Sequence, residues 1–225
     1  MSLTLFYNFL SGSGETLSLV AIACAETLYM VTISTILSIC LGLPLGTLLF
    51  CSAMVKPRPK LNRLLAGIIN FSRSIPFIIL LVALIPFTRI LVGTSIGINA
   101  AIVPLTLGAA PFFARLVNNV YQNLPRGLIE TGFSMGATTW QMIRHILLPE
   151  AIPALIQAVT VTAITLVNYS AMAGTVGGGG LGDLAIRFGY QRFNVSIMLI
   201  TIIVLVFIVQ LIQMGGDSLA KRYTH

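Results

Sequence analysis

Glu15, Glu26, Glu130, Glu150, Asp183 and Asp217 are the only acidic residues of this chain, and none falls in the middle of an apolar run. Acid–base catalysis and ion-coupled transport inside a membrane both draw on carboxylates or histidines set among apolar side chains. Here the two histidines, His145 and His225, lie in a polar stretch and at the C-terminus. No nucleophile–base pair can be assembled from these positions, which argues against an enzyme acting within a bilayer. Cys24, Cys40 and Cys51 lie in or beside apolar runs, without a C-x-x-C pair or a neighbouring histidine. They read as small buried residues, neither a disulfide framework nor a metal site. Gly177, Gly179 and Gly182 satisfy the G-x-G-x-x-G spacing of a dinucleotide loop, but no strand pattern precedes them. The plainer reading is a tight glycine turn. No G-x-x-x-x-G-K-[ST] sequence occurs, so the chain has no Walker A cradle for ATP phosphates.

The elements that position these residues are apolar helices. Of 225 residues, 56% are hydrophobic and 8% charged, against about 25% charged in soluble domains. Several runs exceed the roughly 20 apolar residues that cross about 30 Å of hydrocarbon. The fold class is therefore an all-α polytopic membrane protein. A net charge of +7 belongs to its loops; no basic patch carries interleaved aromatics, so nucleic acid is not a partner. No Lys or Arg precedes Lys56, so a cleaved leader would lack its basic start.

Five spans are expected. The apolar run over residues 16–53 would make about 57 Å of helix, too long for one crossing. Glu26 is taken to divide it, giving a first span over 27–51 and an extracytoplasmic or interfacial segment over 1–24, with a turn at Ser11-Gly12-Ser13-Gly14. Further spans are expected at 64–88, which holds Arg73, Pro76 and Pro86, and at 98–120, 150–173 and 194–214. The membrane unit covers 25–216, and Gly215-Gly216-Asp217 open a short tail over 217–225. Lys56, Arg58, Lys60, Arg63, Arg115, Arg126, Arg144, Lys221 and Arg222 then share one side, against Arg89, Arg187 and Arg192 on the other. The positive-inside rule puts the larger set in the cytoplasm, with the N-terminus outside and the C-terminus inside.

One loop, residues 121–149, stands out from this frame. Pro125 ends the preceding helix and Glu130 opens another; Gly136 suits a sharp turn that a side chain would obstruct. After Ala137, Thr138 and Thr139 are candidate N-caps of a second short helix. Met142, Ile143, Ile146 and Leu147 give that helix one apolar face, and Leu148-Pro149 are expected to stop it and start the fourth span. Such a helix fits a groove on another protein, or lies on the membrane surface.

Glu130, Gly136, Ile146, Leu148 and Pro149 also carry a longer spacing: Glu at 1, Gly at 7, Ile at 17 and Leu-Pro at 19–20. This resembles the cytoplasmic "EAA" loop by which ABC importer permeases dock their ATPase. The blocks Arg73-Ser74-Ile75-Pro76-Phe77 and Tyr169-Ser170-Ala171-Met172, with Gly108-Ala109-Ala110-Pro111-Phe112, are similar to the permease subunits of methionine ABC importers, which have the type I importer fold. Thr131-Gly132 stand where the general pattern has two alanines, and Gly132 lowers helix propensity by about 1 kcal/mol. The resemblance implies a bacterial inner-membrane protein in which two copies pair. Each copy would dock one of two ATPase subunits, which hold ATP and magnesium, while an extracytoplasmic methionine-binding (lipo)protein delivers cargo. It further implies coupling through Glu130, Gly136, Ala137, Thr138, Met142, Ile146, Leu148 and Pro149, and a gate or pathway at Met172, Tyr169 and Ser170. Arg73 and Pro76 read as a structural intramembrane pair: Pro76 frees a carbonyl one turn back, although an intramembrane Arg is also a functional candidate. The alternatives are the same machine for another amino acid or small solute, a secondary carrier, and a membrane scaffold.

Overall fold

The structure, a computed structural model, describes residues 13–223; the first half of the expected turn, Ser11-Gly12, and the tail residues Thr224 and His225 lie outside them, while Ser13-Gly14 are the first residues of a helix and not part of a turn. Among the described residues there is no strand. The first helix, α1 (Ser13–Phe50), continues through a wider π-helical turn, Cys51–Val55. It runs unbroken through Glu26, so the division expected there does not occur in the backbone. A carboxylate can be carried on a continuous helix if it finds a partner, and Glu26 does: its Oε2 accepts the Gly180 N–H at 2.7 Å.

The second expected span differs more. Instead of one helix over 64–88 there are three: α2 (Pro59–Ser74), α3 (Phe77–Ala83) and α4 (Ile85–Val92), with a 98° bend between the first two. The cause is local. The residue before a proline is pushed out of the helical region, and Ile75 adopts φ −81°, ψ 123° in front of Pro76. Pro86 then falls in the first turn of α4, where its missing N–H costs nothing. Asn62 ties α2 back to α1 by donating to the Leu49 carbonyl at 3.0 Å and to Ser52 Oγ at 3.1 Å.

The third span matches its expectation as α5 (Ile98–Gln122), which passes through Pro104 and Pro111 without breaking. Helix α6 (Arg126–Ser134) follows Pro125 and already contains Glu130 in its middle. Then α7 (Thr139–Gln141), a π-helical stretch at Met142–Leu147 and α8 (Leu148–Gly174) form one rod over Thr139–Gly174. Leu148-Pro149 therefore do not stop the docking helix. The π turn shifts the ladder, with the Leu148 N–H donating to the Ile143 carbonyl five residues back, and Pro149 enters within the first turn of α8. After the glycine turn come α9 (Gly180–Leu184), its π-helical continuation Ala185–Tyr190, and α10 (Val195–Tyr223). Helix α10 does not end at Gly215-Gly216. Gly216 instead lets α10 lie against Thr160 of α8, whose side chain occupies the place a Cβ would need.

Four of these helices are long and apolar enough to cross a membrane, and the bent pair α2–α3 makes a fifth candidate. The most extensively packed pair is α1 with α5. A Cβ added at Gly42 would lie 2.7 Å from the Ala110 carbonyl oxygen, and one at Gly46 2.7 Å from Val117 Cβ. This small-x-x-x-small spacing lets two backbones touch where there is no water to drive helices together. Two apolar clusters mark the ends of the bundle. One joins Phe50 and Val55 to Tyr121, Met142 and Leu147; the other joins Val20, Ala23 and Met30 to Ala173 and Leu181. The basic segment 56–63, the loop 123–147 and the end of α10 thus gather at one end, with the glycine turn at the other.

Candidate functional site

At the basic end, α6 and α7 form a hairpin around Gly136. Gly136 has φ +70°, a left-handed conformation, and the space where its Cβ would be is open. The turn needs glycine for its backbone angle, not for the close packing expected from the sequence. Thr138 is the N-cap: its Oγ1 accepts the Gln141 N–H at 3.4 Å while Gln141 Oε1 accepts the Thr138 N–H at 2.9 Å. This reciprocal box satisfies two backbone donors and fixes where α7 begins; Thr139 is its first helical residue.

Close packing belongs to Gly132 instead. A Cβ there would lie 2.6 Å from Met142 Sδ and Cε and 2.8 Å from Ile146 Cδ1. The residue that departs from the common pattern is therefore the seat on which the second half of the hairpin rests. Met142 and Leu147 are fully buried, with Ile143, Ile146 and Leu148 partly so, against Phe50, Val55 and Tyr121. This apolar face is turned into the chain's own core, and the expectation that it faces a partner's groove is corrected. What the hairpin offers outward is Phe133, Met135 and Trp140, exposed by 49%, 79% and 65%. Covering a large apolar side chain fully is worth about 1.5–3 kcal/mol, so three at one tip make a strong contact patch. Glu130 and Pro149 are also exposed and Ala137 is partly buried. The sequence reading missed the three tip residues because it sought a periodic stripe. The available signal was the chain's single Trp standing in a loop between spans.

At the other end, α8 stops in a turn with Gly177, Gly179 and Gly180 at φ +84°, +80° and +76°. The turn is pinned by polar contacts from a distance of many residues. Glu26 takes the Gly180 N–H, and Thr27 Oγ1 takes the Leu181 N–H at 2.8 Å while donating to the Ala23 carbonyl at 2.9 Å. The Gly97 N–H donates to the Gly177 carbonyl at 2.9 Å. These bonds satisfy the exposed donors at the start of α9, a place that favours a carboxylate. Glu26 is thus a positioning residue, a role the sequence did not reveal. Asp183 pairs with Arg187 one turn on.

The three pathway candidates separate here. Met172 is 45% exposed on the last turn of α8. Ser170 is buried, its hydroxyl donating to the Val167 carbonyl at 2.7 Å. Tyr169 stacks on Phe77, centroids 4.2 Å apart and planes 2° from parallel. Arg73, on the last turn of α2, is exposed and has its guanidinium 5.8 Å from the centre of the Phe112 ring. Pro76, also exposed, marks the bend and does not touch Arg73 through any described hydrogen bond.

A bent second segment, a capped hairpin presenting an apolar tip at the basic end, and a glycine-pinned opposite end make this a polytopic helical membrane protein. Residues 38–224 match the family of binding-protein-dependent transport system inner membrane components. The chain belongs to that family, as a multi-pass inner-membrane protein. It is 51% identical over 203 residues to the probable D-methionine transport system permease protein of Vibrio cholerae, covering 89% of this chain and 90% of that one. It is 55% identical over 151 residues to the D-methionine transport system permease protein of Escherichia coli K12, covering 66% of this chain and 70% of that one. Its structure superposes on a chain of the inward-facing MetNI methionine ABC transporter with a TM-score of 0.93 at 48% identity, covering 95% of this chain and 100% of that chain. A chain of an amino acid ABC transporter with histidines shares the fold alone, with a TM-score of 0.79 at 18% identity over 95% of this chain and 98% of that chain.

Proposed function

We propose that this chain is the membrane subunit of an ATP-driven methionine importer, working as a pair of identical chains. The likeness over nearly its whole length to the methionine transporter's membrane chain is the observation that carries this reading. Two copies enclose the pathway, and each presents its Phe133–Trp140 tip, framed by Glu130, Gly136, Ala137 and Thr138, to one of two ATPase subunits. ATP and magnesium bind those partners. Met142, Ile146, Leu148 and Pro149 transmit the contact, since they join the tip rigidly to α8. A methionine-binding (lipo)protein delivers cargo at the glycine-turn end, beside the gate residue Met172.

The cation distribution supports placing the tip in the cytoplasm, with five spans, the N-terminus outside and the C-terminus inside. A cysteine-free background carrying Lys56→Cys or Thr94→Cys tests this, because both positions are exposed. A membrane-impermeant thiol reagent on intact cells is expected to label position 94 and spare 56. Cys51, buried, would stay unlabelled on either side and is a poor reporter. For the function itself, the chain is purified with its co-purifying ATPase and binding protein and reconstituted in vesicles. Uptake of labelled L-methionine that requires ATP and the binding protein is the expected result. Uptake of a different solute in its place overturns the methionine reading.

A further inference from the structure

The bend between α2 and α3 opens a cavity of about 210 Å³ between Arg73 and Ser72 on one side and Phe77, Phe112 and Tyr169 on the other. That is more than ten times the ~10–15 Å³ that one water needs. Gly108 forms part of its wall, and a Cβ there would crowd Phe77 at 3.2 Å. Arg73 brings a planar fork of donors that matches a carboxylate. Among the described residues it has no acidic partner; the one ion pair is Asp183–Arg187. Its ring contact with Phe112 orients the guanidinium without using its N–H groups. Pro76 has no N–H to give to the Ser72 carbonyl, so the last carbonyls of α2 end without helical partners and form a negative dipole end. The Phe77–Tyr169 stack supplies an aromatic, sulfur-tolerant wall that also carries the Tyr169 hydroxyl.

From this arrangement we infer that the cavity is a transit site for a free α-amino acid with an unbranched apolar side chain, its carboxylate held by Arg73. The α-ammonium faces the open carbonyls at the end of α2, and the side chain lies along Phe77, Tyr169 and Phe112. Arg73 thus has a ligand role and not only the structural pairing expected from the sequence. The inference rests on the proposed import of methionine and assigns it a place in this chain. An acidic or amide-capped solute fits poorly, since one adds a second charge facing rings and the other removes the group that Arg73 recognises.

The test uses the assembled permease–ATPase complex with its binding protein in vesicles, and a diazirine analogue of methionine as photoprobe. In the wild type, light during uptake is expected to label peptides carrying Phe77, Phe112 or Tyr169. L-Methionine is expected to compete with that labelling, and methionine amide is not. Arg73→Gln is expected to cut labelling and uptake at least tenfold at equal complex yield, while Arg73→Lys, which keeps the charge, retains at least a third of the labelling. If Arg73→Gln does not assemble, the wild-type labelling map decides alone. A wild type that imports methionine but leaves these peptides unlabelled overturns the site and spares the function; so does unchanged labelling in an assembled Arg73→Gln complex. A wild type that imports only another solute overturns the function first.

Discussion

The two ends of the rod Thr139–Gly174 both depend on glycine, for opposite reasons. At the hairpin end Gly136 stands in open space and is required for its φ of +70°. At the far end Gly174 and Gly182 have ordinary backbone angles but no room, because α8 and α9 cross with their backbones in contact. One end is a conformational requirement that a permissive residue meets; the other is a steric one that only the absence of a side chain meets. The difference teaches where tolerance lies: the hairpin tip can accept change and still fold, whereas the glycine turn is part of the bundle's core.

The largest expected effect follows from the tighter end. Gly182→Leu places a Cβ 2.5 Å from Ala171 Cα, a collision of the side chain's first atom with backbone that no rotamer relieves. Overpacking a well-packed core costs about 1–3 kcal/mol, and here the yield of monodisperse protein on size exclusion is expected to fall at least tenfold. Normal yield would mean that the crossing of α8 and α9 is looser than described.

At the hairpin, Gly136→Val is expected to assemble in the membrane yet lose ATPase on co-purification, since a left-handed β-branched residue costs roughly 1–2 kcal/mol locally. Gly136→Asn, which visits that conformation readily, is expected to keep both the ATPase and uptake. Equal loss in the two variants would restore the packing explanation for Gly136. Gly132→Ala probes the same hairpin from its buried side. Met142 must change rotamer to admit the methyl group, and thermal unfolding is expected to shift by the equivalent of about 1–2 kcal/mol.

A smaller effect distinguishes how the far end is pinned. Glu26→Ala removes the acceptor of the Gly180 N–H. A hydrogen bond to a charged group is worth about 1.5–3 kcal/mol, and faster amide exchange at the start of α9 is the expected readout. Glu26→Gln keeps an acceptor oxygen and is expected to recover much of the protection. Met172→Ala should move stability least, by less than ~1 kcal/mol, because the side chain is 45% exposed. Its effect is expected in transport: a disulfide between two Met172→Cys copies blocks uptake and reduction restores it. Free transport through the crosslinked pair would reduce Met172 to packing.

Much of this was legible in the sequence. Spans over 98–120 and 150–173 lie within helices that Ile98, Gly174 and their flanking turns delimit, and the hairpin's Gly136 and Thr138 announced themselves by residue type. Three features were not. The run through Glu26 stays one helix because its partner, the Gly180 N–H, lies 154 residues away, beyond any local pattern. The inward turn of Met142 and Ile146 depends on Gly132 across the hairpin, so periodicity found an apolar face without telling which way it points. Proline was read only in part: Pro76 frees a carbonyl as expected but also bends α2 from α3 sharply, whereas Pro149 starts α8 as expected without stopping the helix before it. A proline's effect depends on whether the preceding turn can surrender its hydrogen bond.

The contact of Gly42 and Gly46 with α5 has a consequence in time. It joins residues that leave the ribosome some 70 positions apart, an interval of roughly 3–15 s at ordinary rates of synthesis. Through that interval α1 has only α2 to close against, through the bonds Asn62 gives to Leu49 and Ser52. The intervening segment 56–97 must take its shape unaided, and it can, because Ile75-Pro76 dictate their bend from within two residues. The chain is written so that the part produced early needs no neighbour, and the lock that secures it arrives afterwards.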